Sequence, residues 1–167
     1  MRCFYALRHL VLNGTKNEQQ ELLGILRQGR PGKQYPELVL NWEEMIRLDQ
    51  DPLITIGAHT VNHLNLKTLP DAEVRKEMLQ SKTLLEAHLQ HAIEHFAYPY
   101  GSYSEAAERE YALAKECGFK TAMTSQCRPL HSGDCHSLPR YSVLPRHTSW
   151  KLGVLLSGWH AFWQRQM

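Results

Sequence analysis

Two histidines four residues apart, His59 and His63, stand in the stretch Leu53 to Leu66, LITIGAHTVNHLNL, with small or polar residues between them. Imidazole nitrogens are common metal ligands, so the pair offers two positions of a candidate metal site. Along an extended chain the two would lie about 13 Å apart at roughly 3.3 Å per residue, too far for one ion. A helical turn after Gly57 cuts the rise between them to about 6 Å, and both rings then reach one ion at about 2.0–2.1 Å. Thr60 and Asn62 favour such a turn, because their side chains hydrogen-bond nearby backbone. The plain alternative is a satisfied core histidine at 59 and a surface one at 63, since a bare HxxxH recurs by chance.

The elements around the pair have to bring it to a usable place. Leu53-Ile54-Thr55-Ile56 is short, apolar and β-branched, which predicts a buried strand delivering the histidines at its end. Before it, Asn41 as N-cap and Glu44 in capping-box position open a helix that buries Met45, Ile46 and Leu48 and stops at Asp51-Pro52. After it, Thr68-Leu69-Pro70-Asp71 reads as an N-cap, a first-turn proline and an acidic residue. That helix runs to about Leu89, with Val74, Met78, Leu85 and Leu89 on one face and Glu73, Arg75, Lys76, Glu77 and Glu86 on the other.

Ile93 to Pro99 reads as the next strand and Tyr100-Gly101-Ser102 as a loop. Ser102 and Glu105 form a second capping box, opening a helix through Cys117 that buries Ala107, Tyr111 and Ala114 and ends at Gly118. Phe119 to Thr124 is a third strand, and Leu138 to Val143 a short extended segment. Strand alternating with helix predicts an α/β fold with a parallel sheet or barrel. In such a fold the loops after the strands share one face. The histidine pair, Tyr98-Pro99-Tyr100-Gly101 and the polar loop 125–137, with His131, Asp134 and His136, can therefore converge on one cleft.

Three regions follow: a connecting or lid segment at 1–37, with a helix over Asn17 to Leu26; an α/β region at 38–146; and an amphipathic C-terminal helix at 147–167. Trp150 to Trp163 is apolar on a helical period, which suits packing, or else a membrane surface or partner helix. His88, His91 and His95 have helical spacing and read as solvated histidines near a helix C-terminus, where the dipole favours positive charge.

At 167 residues, 43% hydrophobic and 22% charged, the chain suits one globular domain. A net charge of +2 with no basic stripe does not suggest nucleic-acid binding. Cys3, Cys117, Cys127 and Cys135 include no CxxC pair, so free thiols are expected, with a Cys127–Cys135 disulfide the other option. Arg8 and His9 interrupt the early apolar run, and no signal peptide or membrane span is read, which makes the chain cytoplasmic as written.

With these stretches in view, the chain resembles the polysaccharide deacetylases (carbohydrate esterase family 4, the NodB homology domain). His59-Thr60-Val61-Asn62-His63 matches that family's H-[ST]-x-x-H metal motif, and Phe96 to Ser104, FAYPYGSYS, matches the strand and loop one helix later. The likeness extends over roughly Leu38 to Val143. It implies a distorted (β/α) barrel, incomplete here, that hydrolyses N- or O-acetyl groups on a glycan. His59 and His63 would ligate a divalent metal, typically zinc, which activates water and polarises the acetyl carbonyl. Pro99 and Tyr100 would line the groove, the Tyr100 N–H would serve as oxyanion donor, and the Tyr98 and Tyr100 rings would suit stacking on a sugar, ordinary core packing being the other account of both.

The departures are specific. The family's first strand ends in two aspartates, a base and a third metal ligand, whereas this chain has no Asp-Asp and its first aspartate is Asp49. Ala97 stands where many members carry Arg. The late general-acid histidine has only His131 and His136 as candidates, by position. The resemblance thus implies the C-terminal portion of a longer deacetylase, with a non-catalytic carbohydrate-binding homologue as the alternative.

Overall fold

The computed structural model describes residues 2–28, 30, 35, 38–145 and 148–157. It begins with a helical hairpin that the sequence reading only half anticipated. Helix α1 (Arg2–Asn13) precedes α2 (Lys16–Arg27), and Thr15 caps α2 by exchanging hydrogen bonds with Glu18. The Gln19 amide donates to Val11 and Gly14 carbonyls, at 2.8 and 3.2 Å, and ties the corner.

Helix α3 (Trp42–Asp49) starts where the Asn41–Glu44 box placed it, with both reciprocal hydrogen bonds at 2.9 Å. Helix α4 (Asp71–Leu89) starts three residues after Thr68, because Leu66–Thr68 forms its own 3-10 turn on the Asn65 side chain. Strand β1 (His95–Ala97), helix α5 (Glu108–Glu116), strand β2 (Thr121–Met123) and helix α6 (Ser149–Leu156) complete the order. The Ser102–Glu105 pair forms only half of a box: the Ser102 N–H and hydroxyl donate to the Glu105 carboxylate, but the Glu105 N–H goes to the Ser102 carbonyl, which closes a turn, and α5 begins only at Glu108.

Strands β1 and β2 pair in parallel, with His95 opposite Thr121 and Ala97 opposite Met123. A single parallel bridge flanks the pair on each side, Ala58 to Phe96 and Met123 to Leu138. The fold is therefore α/β, with a two-stranded sheet rather than a closed barrel among the described residues. Leu53 to Ile56 does not form the expected buried strand. Among the described residues the segment meets the sheet at Ala58, beyond its end, and Leu53 is 93% exposed.

Each strand buries its middle residue and half-exposes its ends. Phe96 and Ala122 face helices α4 and α5, packing with Val74, Met78, Leu113 and Phe119. The Phe96 ring lies 5.0 Å from Phe119 and 5.2 Å, edge-on, from Tyr98. Burying each such ring contributes roughly 1.5–3 kcal/mol. This packed face holds the sheet and leaves the strand ends to carry side chains. Cys117 is buried, Cys127 and Cys135 are exposed, and all three are free.

His88, His91 and His95 go to three different partners. His88 stacks on Trp42 at 3.6 Å, His91 pairs with Asp49 at 2.7 Å, and His95 lies in β1 beside the Thr121 hydroxyl. Of the C-terminal helix, Trp159, Phe162 and Trp163 lie outside the described residues. No described helix is long and apolar enough to cross a membrane.

Candidate active site

His59 and His63 meet, as their spacing allowed, but a bend brings them together rather than a helical turn. Thr60 and His63 both adopt left-handed backbone, at φ 62° and 53°, and the His63 N–H donates to the Thr60 hydroxyl at 3.1 Å. The two rings end 4.9 Å apart at 71°. Tyr100 is left-handed too, at φ 60°, and its ring stands edge-on to His63 at 4.7 Å. The other described non-glycine residues with positive φ, Gln28 and Gln90, are helix C-caps. Strained backbone away from helix ends is thus concentrated at this one place, as is common where side chains are aimed for a task.

The loop between the histidines is held from below by Glu77. Its carboxylate accepts the Val61 N–H at 3.0 Å and the Asn62 N–H at 2.9 Å, and also the Asn62 side-chain amide. The charge pattern of the helix places Glu77 on its solvent face, whereas the residue is buried. The signal was available: Val74, Glu77, Met78 and Ser81 fall at i, i+3, i+4 and i+7, so Glu77 lies inside the buried stripe. Arg109 adds a second tie. It donates to the Leu66 and Leu69 carbonyls and pairs with the fully buried Glu110.

The His59 ring is oriented by Nδ1, which lies 2.6 Å from the Ala97 carbonyl oxygen at the end of β1. A carbonyl only accepts, so Nδ1 carries the proton and Nε2 keeps its lone pair. Loss of solvent around the ring lowers the His59 pKa, the Ala97 bond opposes this, and the His63 and Arg140 charges lower it further. The lowered pKa favours the neutral ring, the state a metal ligand or base requires. Arg140, which the sequence did not single out, is itself fixed by donating to the Thr124 carbonyl at 2.7 Å.

The donor set, two imidazole rings of which the His59 ring is braced by a carbonyl, fits two positions of a first-row divalent cation. It supplies no third. Among the described residues no group of three or more His, Cys, Asp or Glu is placed to hold a metal.

Pro99, Tyr100 and Gly101 form a tight corner. Gly101, at φ 70°, sits so close to the next segment that a Cβ would come within 2.8 Å of the Ser125 nitrogen. Ser125 grips the corner, its N–H on the Gly101 carbonyl and its hydroxyl on that of Tyr100. The Tyr100 N–H finds no acceptor among the described residues. Pro99 is buried beneath it.

The remaining expected site residues lie elsewhere. Tyr98 is fully buried in the aromatic core, and its hydroxyl donates to the His136 carbonyl at 2.8 Å, so its ring is not a platform for a sugar. Burial, with Tyr111 and Glu110 nearby, raises its pKa. The His136 Nε2 lies 2.8 Å from the Phe119 carbonyl. His131 is exposed, its N–H on Asp134, which Arg128 also holds. The His131 N–H and the His136 ring thus bond to Asp134 and Phe119 and not to His59, His63 or Tyr100.

A cleft of about 420 Å³ runs along the half-exposed face of the sheet, lined by residues including Thr55, Gly57, His59, His95 and Met123. His59 thus stands with one side in a cavity and the other beside His63.

A family model described as polysaccharide deacetylase matches residues 11–122. No curated protein matches the chain. Among solved structures, a Streptococcus pyogenes deacetylase, PplD, in complex with acetate is 24% identical at a TM-score of 0.61, over 81% of this chain and 54% of that one. IcaB from Ammonifex degensii is 21% identical at 0.57, over 70% and 53%. BC0361, a polysaccharide deacetylase from Bacillus cereus, is 16% identical at 0.61, over 86% and 49%. The chain spans about half the length of the structures it matches.

Proposed function

We propose that this chain, which belongs to the polysaccharide deacetylase family, serves in removing acetyl groups from a glycan, with His59 and His63 holding a divalent cation, zinc in the first instance. The observation that carries the reading is the His59 ring, fixed through Nδ1 by the Ala97 carbonyl with Nε2 left beside His63.

A bound cation would supply Lewis acidity, drawing electrons from the acetyl carbonyl and easing deprotonation of water. The chain's own residues do the rest. Thr60, Asn62 and Glu77 keep the histidine loop bent, so neither imidazole must be reorganised before use. The Tyr100 N–H, without an internal acceptor, is the donor we assign to the carbonyl oxygen as it gains negative charge. The Tyr100 ring beside His63 offers a face on which a sugar can stack.

Purified chain, with His59→Ala and His63→Ala variants, should be assayed for bound zinc and for acetate release from acetylated chitooligosaccharides. Zinc content that falls in both variants, together with release that depends on both residues, supports the reading. Equal zinc in all three proteins removes the metal site. A second reading, a glycan-binding homologue without turnover, is favoured by the lack of a carboxylate beside His59 and His63 among the described residues. Binding of the oligosaccharide without acetate release, at saturating zinc, selects it.

A further inference from the structure

Phe4, Leu7, Arg8, Val11 and Leu12 fall at i, i+3, i+4, i+7 and i+8 on α1, and with Tyr100 they line a second cleft of about 470 Å³. Burial rises along this stripe, from Phe4 at 65% exposed to Leu12 at 8%. The walls are almost wholly carbon, since Arg8 can lend its aliphatic stem while its charge stays in water. A groove of this kind suits sugar hydroxyls poorly, because a buried hydroxyl without a partner costs free energy. It suits a hydrocarbon chain. The groove also adjoins the site, because Tyr100, which lines it, places its ring 4.7 Å from the His63 ring.

We infer that the groove between α1 and Tyr100 takes the hydrocarbon aglycone of an acetylated amino sugar whose acetyl group lies at His59 and His63. This rests on the reading of those histidines given above, and it narrows the substrate to a glycolipid-like saccharide. Phe4 to Leu12 spans about 12 Å along the helix, roughly the reach of an octyl chain. The segment expected to connect or cover thus acts as one wall of the binding site.

The test is isothermal titration of the full chain with the methyl and octyl β-glycosides of N-acetylglucosamine, kept below the micelle concentration. Each methylene moved fully from water to an apolar site strengthens binding about fourfold. An open groove realises part of that, so the octyl glycoside should bind at least about tenfold more tightly than the methyl one. Leu7→Asn should bring the two within about twofold and leave the methyl glycoside unchanged. Leu7→Trp, which fills the groove while keeping it apolar, should do the same. Equal affinities in the parent chain, or an octyl preference that survives both variants, overturn the inference.

NMR signals of the His59 and His63 rings separate this from the underlying reading. Shifts caused by the methyl glycoside, with no octyl preference, keep the histidine site and sink the groove. A Leu7-dependent octyl preference with unmoved histidine signals supports the groove as a hydrocarbon site and sinks the placement of the sugar.

Discussion

The buried carboxylate of Glu77, on helix α4, accepts the backbone N–H of Asn62 at 2.9 Å, in the loop between the two candidate ligands. The loop's shape is therefore set from the helix below it and not by the loop alone. Glu77→Ala leaves the Val61 and Asn62 N–H groups without their acceptor, at a cost of about 1.5–3 kcal/mol for bonds to a charged group. Chemical denaturation should show that loss. Zinc affinity should fall about 10-fold or more, as for other residues that orient ligands. Unchanged affinity would mean the histidine loop holds its bend without Glu77.

Gly101 is held where both its φ of 70° and its contact with Ser125 exclude a side chain. Gly101→Ala should destabilise the fold by about 1–3 kcal/mol, the usual scale for a strained backbone position. Because Tyr100 precedes it, acetate release should fall more than folding does. Activity preserved at full occupancy of the folded state would detach the Tyr100 corner from catalysis.

Tyr98→Phe removes the hydroxyl that donates to the His136 carbonyl but keeps the ring in the core. A loss of about 1 kcal/mol is expected, with oligosaccharide binding unaltered. A marked drop in binding at equal stability would restore Tyr98 to the sugar site.

His91 is exposed and its pKa is raised by the Ala92 carbonyl and by Asp49, with a smaller opposing effect of desolvation. A raised folded-state pKa means the pair's contribution is complete below the ordinary histidine value of about 6.5, and it fades as pH rises through the raised value. Asp49→Asn should therefore lower the melting temperature at pH 5.5 and make little difference at pH 9. An equal effect at both would show that Asp49 acts through packing of α3.

Much of this was legible in the sequence because it is local. The Asn41–Glu44 box, the Thr60 turn and the alternation of strand with helix all depend on residues a few positions apart. What the sequence hid depends on contacts made across the fold. Leu53 to Ile56 has strand composition, but burial needs a covering partner, and only Ala58 pairs. Glu77 looks like any helical carboxylate until the loop it serves folds over it. His131 and His136 are instead tied by Asp134 and by the Phe119 carbonyl, partners that their spacing in the sequence does not reveal. Tyr98 and Tyr100 are two residues apart in one motif, yet the turn at Tyr100 sends one ring into the core and the other toward His63.

The sheet's bridges run from Ala58 to Phe96, from β1 to β2, and from Met123 to Leu138. Among the described residues each extended segment thus pairs with the one made just before it, with no later segment inserted between neighbours. Assembly can proceed in the order of translation, the growing edge always being the newest. The histidine loop is braced as soon as α4 and β1 have emerged, ahead of the Tyr100 corner, which needs Ser125.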